Sequence, residues 1–416
     1  MQIYLVGGAI RDILLNRPVH DKDFVVTGSS VEEMISLGYK KVGKHFPVFL
    51  HPLTGEEYAL ARKEIKIGDR HQDFKFIFTP DISLEEDSLR RDFTCNALYQ
   101  DIESGEIFDY HKGREDIKKH VLRHISDHFA EDPLRVLRMC RFAAELDFSV
   151  APETMQLCRK MVKKGMLEYL SQDRIWQELE KALSSQNFYR FIENAKECGA
   201  LAILLPEVEQ LFMTPERLDY HPEGNSGDHT LLTLKAAQSK DPMVNYAALL
   251  HDIGKIKTDK KCWPSHRGHD KLGADLIKEI GRRLKVPNAY TDFAVFTAIN
   301  HMIYHQKIEG AEKEIADIAV QLSRFEHKNY TKRFIEVLKA DMGGRLKEVS
   351  AEEQREFNEF ASYLKELSEA AQHKKPSEIS GFENFIEGIK NGSLPPSVIN
   401  EKYIEILVAE NPYQKK

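Results

Sequence analysis

No run in this chain is apolar for long enough to cross a bilayer, so a membrane partner is not expected. The amino terminus goes straight into a strand-like segment, which predicts no signal peptide. Cysteine is sparse: Cys95, Cys140, Cys158, Cys198 and Cys262 lie scattered, with no paired spacing. That excludes a disulfide framework and fits a reducing, cytoplasmic setting. Internal repeats and low-complexity tracts are also missing, which excludes a solenoid. So is any excess of positive charge, because 59 Lys and Arg face 66 Asp and Glu, a net charge of −7. A nucleic-acid partner would therefore need a local basic surface in place of a global field. The runs Arg159-Lys160-Met161-Val162-Lys163-Lys164 and Arg282-Arg283-Leu284-Lys285 are candidates, and both also read as solvated helix faces.

What is present starts at the amino end. Ile3 to Val6 reads as a buried strand, Gly7-Gly8 as a tight turn, and Ala9 to Leu15 as a helix whose free N–H groups face a phosphate. Asp21 to Val26 reads as a second strand. Side chains alternate along it, which predicts Asp21 and Asp23 on one face and Phe24 and Val26 in the core. Two carboxylates so placed can grip a pair of Mg2+ ions, since oxygen-only ligands favour that metal. One ion would activate a terminal hydroxyl and the other would steady a leaving pyrophosphate. A third carboxylate usually completes such a cage, and Glu57, in the strand-like segment 56–62, is the candidate. The competing reading makes Asp21 and Asp23 plain turn residues near Pro18.

Further blocks follow. Arg90-Arg91-Asp92 precedes Asn96-Ala97-Leu98, and arginine forks suit phosphate oxygens. Asp132 before Pro133 looks like a helix cap with proline at the first helical position. Arg135, Arg138 and Arg141 then recur every three residues as one basic stripe, which is also readable as a solvated face. With Gly7-Gly8-Ala9-Ile10-Arg11-Asp12 and Glu131-Asp132-x-x-Arg135, these blocks resemble the bacterial CCA-adding enzymes. Those are the class II tRNA nucleotidyltransferases of the polymerase-beta superfamily. The resemblance covers the first third of the chain. It implies that Gly8, Arg11, Arg91, Arg138 and Arg141 hold incoming ATP or CTP, and that Asp132 and Arg135 act as a protein template for the base. It further implies tRNA as the polymer substrate. The chemistry is coherent: a carboxylate accepts from the amino group of C or A, while a guanidinium donates to a ring acceptor.

A second constellation lies in the carboxyl half. His251-Asp252-Ile253-Gly254-Lys255 follows an apolar helix, with His229 upstream and His269, His301 and Asp341 downstream. Such a set suits a divalent metal that activates water. The pattern resembles the HD phosphohydrolase superfamily. In CCA-adding enzymes that carry such a domain, the resemblance implies phosphatase, 2'-nucleotidase and 2',3'-cyclic phosphodiesterase activity with Ni2+ or Mg2+. A structural, metal-free helical body is the alternative.

The expected fold is α+β. A mixed α/β nucleotidyltransferase head (1–137) precedes a helical neck and RNA-binding region (138–215), an HD domain (216–348) and a helical tail (349–416). Ser171 to Leu179 reads as a capped amphipathic helix, and Lys63 to Pro80 as a mobile loop beside the active site. The assembly would be a monomer or homodimer. Rival functions are a poly(A) polymerase, an enzyme adding only part of the CCA end, an HD hydrolase with a nucleotide- or RNA-binding head, and a non-catalytic RNA-binding protein.

Overall fold

The structure is a computed structural model that describes residues 1–19, 21–42, 47–66, 74–325, 329–378 and 382–413. It divides into two compact units, residues 1–182 with 190–204, and residues 183–189 with 205–416.

The first unit holds the strands β1 (Gln2–Val6), β2 (Asp23–Thr27), β3 (Lys40–Lys41), β4 (Val48–Leu50), β5 (Glu57–Leu60), β6 (Lys63–Lys66), β7 (Phe74–Ile77), β8 (Leu98–Asp101) and β9 (Ile107–Asp109). Seven of them form one sheet, ordered β3-β4-β5-β2-β1-β8-β9. All its pairings are antiparallel except β2–β5. The central pair β1–β2 is apolar on both faces. Tyr4, Val6 and Val25 pack with Tyr99 on one side, while Val26 packs with Met34, Phe49 and Tyr58 on the other. Phe24 is half-buried and stacks on Tyr58, with ring centroids 4.5 Å apart. Burial of each such side chain contributes about 1.5–3 kcal/mol, so the sheet holds the polar residues at its strand ends on a rigid base. Against the expectation of a loop, β6 and β7 pair as an antiparallel hairpin; residues 67–73 of that segment lie outside the described residues.

Helices α1 (Gly8–Leu14), α2 (Val31–Ser36), α3 (Leu84–Ser88) and α4 (Gly113–Lys119) complete the sheet region. The short pair β10 (Val121–Leu122) and β11 (Ser149–Val150) brackets α5 (Leu134–Leu146). Then come α6 (Pro152–Lys163), α7 (Gln172–Leu183), α8 (Tyr189–Cys198) and α9 (Leu201–Leu204).

Helices dominate the second unit: α10 (Pro206–Leu211), α11 (Ser226–Ala237), α12 (Pro242–Leu250), α13 (His269–Leu284), α14 (Asn288–Asn300), α15 (Glu312–Ser323), α16 (Tyr330–Gly343), α17 (Ala351–His373), α18 (Phe382–Lys390) and α19 (Val398–Glu410). Its interior is apolar where α12 passes, since every residue from Met243 to Leu250 is buried. Among the described residues, no helix is long and apolar enough to cross a membrane.

Candidate active sites

The head site forms where β1 runs out. Val6, the last residue of β1, pairs with Asp23, the first of β2. Gly7 then takes φ +78°, a left-handed conformation open to glycine at little cost, and α1 starts at the next residue. Asp23 sits opposite Glu57 in the parallel β2–β5 pairing. Adjacent strands lie about 4.8 Å apart and opposite residues share a face, so the exposed Glu57 stands beside the exposed Asp23.

Asp21 precedes β2 and is not part of it. The pairing with β1 begins only at Asp23, so strand alternation does not aim Asp21. Its charge still reaches its neighbour. Water reaches the Asp23 side chain, but the protein packed around it removes part of its hydration and raises the carboxyl above its usual range; Arg91 opposes that rise, and Asp21 adds to it. A carboxylate held up in this way is one that a cation relieves, and its donors are all oxygen, which fits Mg2+.

The arginines of the head form a connected network, and each arginine of the stripe on α5 bonds to protein groups, with Arg141 buried and Arg135 and Arg138 half-buried. Arg11 donates to Asn96 Oδ1 at 2.6 Å, and Asn96 donates to Asp92 Oδ1 at 3.2 Å. Arg138 donates to Asp92 Oδ2 at 2.8 Å. Arg141 is buried and donates to Glu178 at 2.6 Å and Glu145 at 2.7 Å. The guanidinium carbons of Arg11, Arg138 and Arg141 lie 5.3, 5.2 and 4.0 Å from the centre of the Phe142 ring. Arg135 donates to the carbonyls of His128 and Arg90. Arg91 bonds Asp87 and the Tyr99 hydroxyl, and the fully buried Asp87 also takes Arg90.

Asp132 Oδ1 accepts from the Leu134 N–H at 3.0 Å, and Arg174 donates to both carboxylate oxygens, at 3.2 Å to Oδ2 and 3.4 Å to Oδ1. The helix starts one residue later than its sequence suggests, with Pro133 as the residue before it. Asp87, Asp92 and Glu178 are the residues that sequence reasoning missed. Glu178 carried a signal: it shares the buried face of α7 with Ile175, Leu179 and Ala182, where a lone carboxylate needs a partner.

This network makes acid sensitivity predictable. Burial alone would raise the Asp92 carboxyl, but the Arg138 guanidinium pulls it down to about 2. A depressed carboxylate contributes stability above its unfolded value near 3.9 and loses it as pH falls through the folded value. The Asp92–Arg138 pair should therefore contribute roughly 2–3 kcal/mol at pH 7 that disappears between about pH 4 and pH 2. Urea unfolding of Asp92→Asn should show a clear deficit at pH 7 and almost none at pH 2. An equal deficit at both pH values would refute the ion-pair account.

In the second unit, the structure brings all six sequence-predicted residues together. His229 comes from α11, His251 and Asp252 from the end of α12, His269 from the start of α13, His301 from just after α14, and Asp341 from α16. All six are buried. His251, His269 and His301 each place Nδ1 2.8–2.9 Å from the backbone carbonyl three residues earlier. His229 Nδ1 lies 2.8 Å from the Gly344 carbonyl. A carbonyl only accepts, so each Nδ1 carries the proton and each Nε2 faces the centre. Gly254 permits the fold here, because a Cβ would fall 1.9 Å from the His269 carbonyl oxygen.

Around the carboxylates, His229 Nε2 lies 3.0 Å from Asp341 Oδ1, and His251 Nε2 lies 3.3 Å from Asp252 Oδ2. Burial alone would lower both rings. Asp341 and Glu223 instead raise His229 to about 9, and Asp252 and Asp341 raise His251 to about 10. The buried His251 Nε2 makes no hydrogen bond of adequate geometry. An orphaned ring nitrogen among carboxylates fits a borderline divalent metal. Lys255, unassigned from sequence, sits 2.7 Å from both Asp252 and Glu216, and Tyr304 donates to Asp341 at 3.2 Å. A cavity of about 610 Å3 opens beside these groups, with Tyr220 and Arg345 among its lining residues.

Comparison with known proteins follows the same division. Residues 3–123 match the poly A polymerase head domain, residues 147–212 the "Probable RNA and SrmB-binding site of polymerase A", and residues 227–340 the HD domain. The multifunctional CCA protein of Shewanella frigidimarina is 50% identical over 314 residues, spanning 74% of this chain and 76% of the relative. That of Neisseria gonorrhoeae is 45% identical over 348 residues, 83% of this chain and 85% of the relative. In fold, the chain is similar to the Bacillus stearothermophilus CCA-adding enzyme in complex with CTP. The TM-score is 0.59 at 21% identity, over 98% of this chain and 93% of the other. The Thermotoga maritima CCA-adding enzyme complexed with tRNA-CCA gives a TM-score of 0.56 at 20% identity, over 100% of this chain and 88% of the other. With its nucleotidyltransferase head, its HD domain and relatives at 45–50% identity, the chain belongs to the multifunctional CCA proteins, a family of tRNA nucleotidyltransferases.

Proposed function

We propose that the head adds C, C and A to tRNA 3' ends from CTP and ATP, without a nucleic-acid template, and that the HD domain hydrolyses phosphate esters. The observation that carries the first part is the register of Asp23 against Glu57 beside the Gly7 turn, with Arg91 close enough to act on Asp23. Asp21, Asp23 and Glu57 would hold Mg2+, which when bound activates the tRNA terminal hydroxyl and neutralises the leaving pyrophosphate. Gly8, Arg11 and Arg91 bind the triphosphate. Arg138 and Arg141 set the far wall through Asp92 and Glu178. Asp132 and Arg135 select the base by accepting and donating at its edge, for which Asp132 exchanges its bond to Arg174.

On α6, Lys160 and Lys163 are exposed, as are Lys164 and Tyr169 just after it. They offer tRNA a local basic surface with a stacking ring, which answers the net charge of −7. We place the protein in the cytoplasm, in keeping with cysteines that are all free among the described residues. In this reading a nucleotidyltransferase head (1–137) precedes a neck (138–215), an HD domain (216–348) and a helical tail (349–416).

In the HD domain, His229, His251, Asp252 and Asp341 would hold a divalent ion, Ni2+ or Mg2+, which when bound supplies an activated water. Lys255 keeps Asp252 ionised and oriented. The implied substrates are 2',3'-cyclic phosphates and 2'-phosphomonoesters.

The direct test is tRNA lacking its 3' end, incubated with labelled CTP and ATP separately and together. CTP alone should add two residues, and both nucleotides together should add two C and one A. A long A tail, or a stop after two C with ATP present, would overturn this reading in favour of a poly(A) polymerase or a partial enzyme.

A further inference from the structure

The cavity beside the HD cluster has walls that the cluster itself does not use. Arg345 follows α16 and lines the cavity together with Lys347. Its Nε donates to the Met342 carbonyl at 3.3 Å, and its charge reaches Tyr304, the residue that donates to Asp341. Among the described residues, neither Arg345 nor Lys347 forms a salt bridge. The acids on the same walls are mostly engaged already. Glu216 binds Lys255 at 2.7 Å, Asp219 binds Arg217 at 2.6 Å, and Glu353 accepts from the Ser350 N–H at 2.9 Å. Outside the cluster that leaves Glu356 against two cations, a surplus that suits an anion.

Tyr220, in the segment between α10 and α11, lines the same cavity with 56% of its surface exposed. The Arg217 guanidinium stands 4.9 Å from the centre of its ring, and Asp219 holds that guanidinium by two bonds. One face of the ring is thereby fixed, and among the described residues its side chain has no other partner. A ring clamped from one side is a stacking platform. Met302 and Phe357 add apolar surface, and the volume of about 610 Å3 falls in the range of small-molecule sites. A guanidinium for phosphate oxygens and a ring for a base together match a nucleotide. A sugar phosphate without a base would leave the ring idle.

Resting on the phosphohydrolase reading above, we infer that this cavity is a nucleotide subsite, in which Arg345, supported by Lys347, holds the phosphate of a nucleoside 2',3'-cyclic phosphate or 2'-phosphate and Tyr220 stacks on its base. The recognised unit is one nucleotide, free or closing an RNA strand.

The test measures initial rates of the full chain on adenosine 2',3'-cyclic phosphate, ribose 2',3'-cyclic phosphate and a short RNA ending in the cyclic phosphate. Tyr220→Ala should raise KM for the adenosine ester about tenfold, with kcat within about twofold, and leave the ribose ester unchanged. Tyr220→Phe keeps the ring and should match the parent. Arg345→Met should lower kcat/KM roughly 10–100-fold on all three substrates, with part regained in Arg345→Lys and circular dichroism unchanged throughout. The RNA should share both losses, and a dependence confined to the free nucleotide or to the strand assigns the subsite to that source. Independently of turnover, photolysis of an azido-substituted adenosine 2'-phosphate should label the peptide that holds Tyr220. Equal losses on the ribose and adenosine esters in Tyr220→Ala, no loss in either variant, or label confined to other peptides would overturn the subsite and leave a phosphohydrolase intact. A parent that hydrolyses none of the three substrates would instead sink the phosphohydrolase reading, and the subsite with it.

Discussion

Asp23→Asn should abolish nucleotide addition and at the same time make the metal-free protein more stable. The two effects share one cause. Partial loss of hydration and the neighbouring Asp21 raise the Asp23 carboxyl above its usual range, against the pull of Arg91. Its ionised form is therefore held at a cost in the folded chain, and that cost persists because a cation recovers it during the reaction. Asparagine removes the penalty and keeps the shape, but it offers the ion a neutral oxygen. Addition should fall by about 10^3-fold or more, the scale of losing a group aimed at developing charge. The stability gain has a pH signature. A carboxyl raised in the folded state penalises folding at neutral pH, and the penalty fades as pH falls through the folded value towards about 3.9. Thermal melts in chelator should show the variant above the parent at pH 7 and level with it near pH 4. A variant that melts below the parent at pH 7 would mean that Asp23 is a structural residue.

How much of this was readable in advance differs between the two sites, for a physical reason. The gathering of the HD domain's histidines and aspartates was legible, because the adjacent His251-Asp252 pair closes an apolar helix and the outlying histidines stand at other helix ends. Their partners at Nδ1 are backbone carbonyls fixed by the helices themselves. The Gly7 turn, Asp23 and Glu57 were legible because strand pairing follows the apolar pattern. Asp21 was misplaced on the strand, since residues 21–26 read as one extended run, whereas pairing begins at Asp23, where β1 ends at Val6. The network of Asp87, Asp92 and Glu178 was not legible. Asp92 and Glu178 neutralise arginines distant in sequence, Arg138 and Arg141, and only tertiary packing decides which carboxylate meets which guanidinium; Asp87 meets the nearby Arg90 and Arg91. A basic stripe on a helix looks the same in sequence whether water or buried acids face it.

Asp252→Asn should erase hydrolysis of a 2',3'-cyclic phosphate while CCA addition stays within about twofold of the parent. Among the described residues, Asp252 is the one carboxylate that approaches all four histidines of the HD cluster. Its charge is also one of the two that hold His251 up at about 10. An amide keeps the volume but offers one neutral oxygen and a donor, and the donor would face either Lys255 or an imidazole lone pair. Lys255 keeps its second partner, Glu216, at 2.7 Å, so no buried ammonium is stranded and the helices should hold. Hydrolysis should drop on the order of 10^3-fold or more, the scale of a lost charge-stabilising group. Addition is spared because the head belongs to the other compact unit. Both rates, measured on one preparation of the full chain, separate the outcomes. Hydrolysis that persists would remove Asp252 from the catalytic cluster. A parallel loss of both activities would show that the variant damages folding and that the two chemistries are not independent.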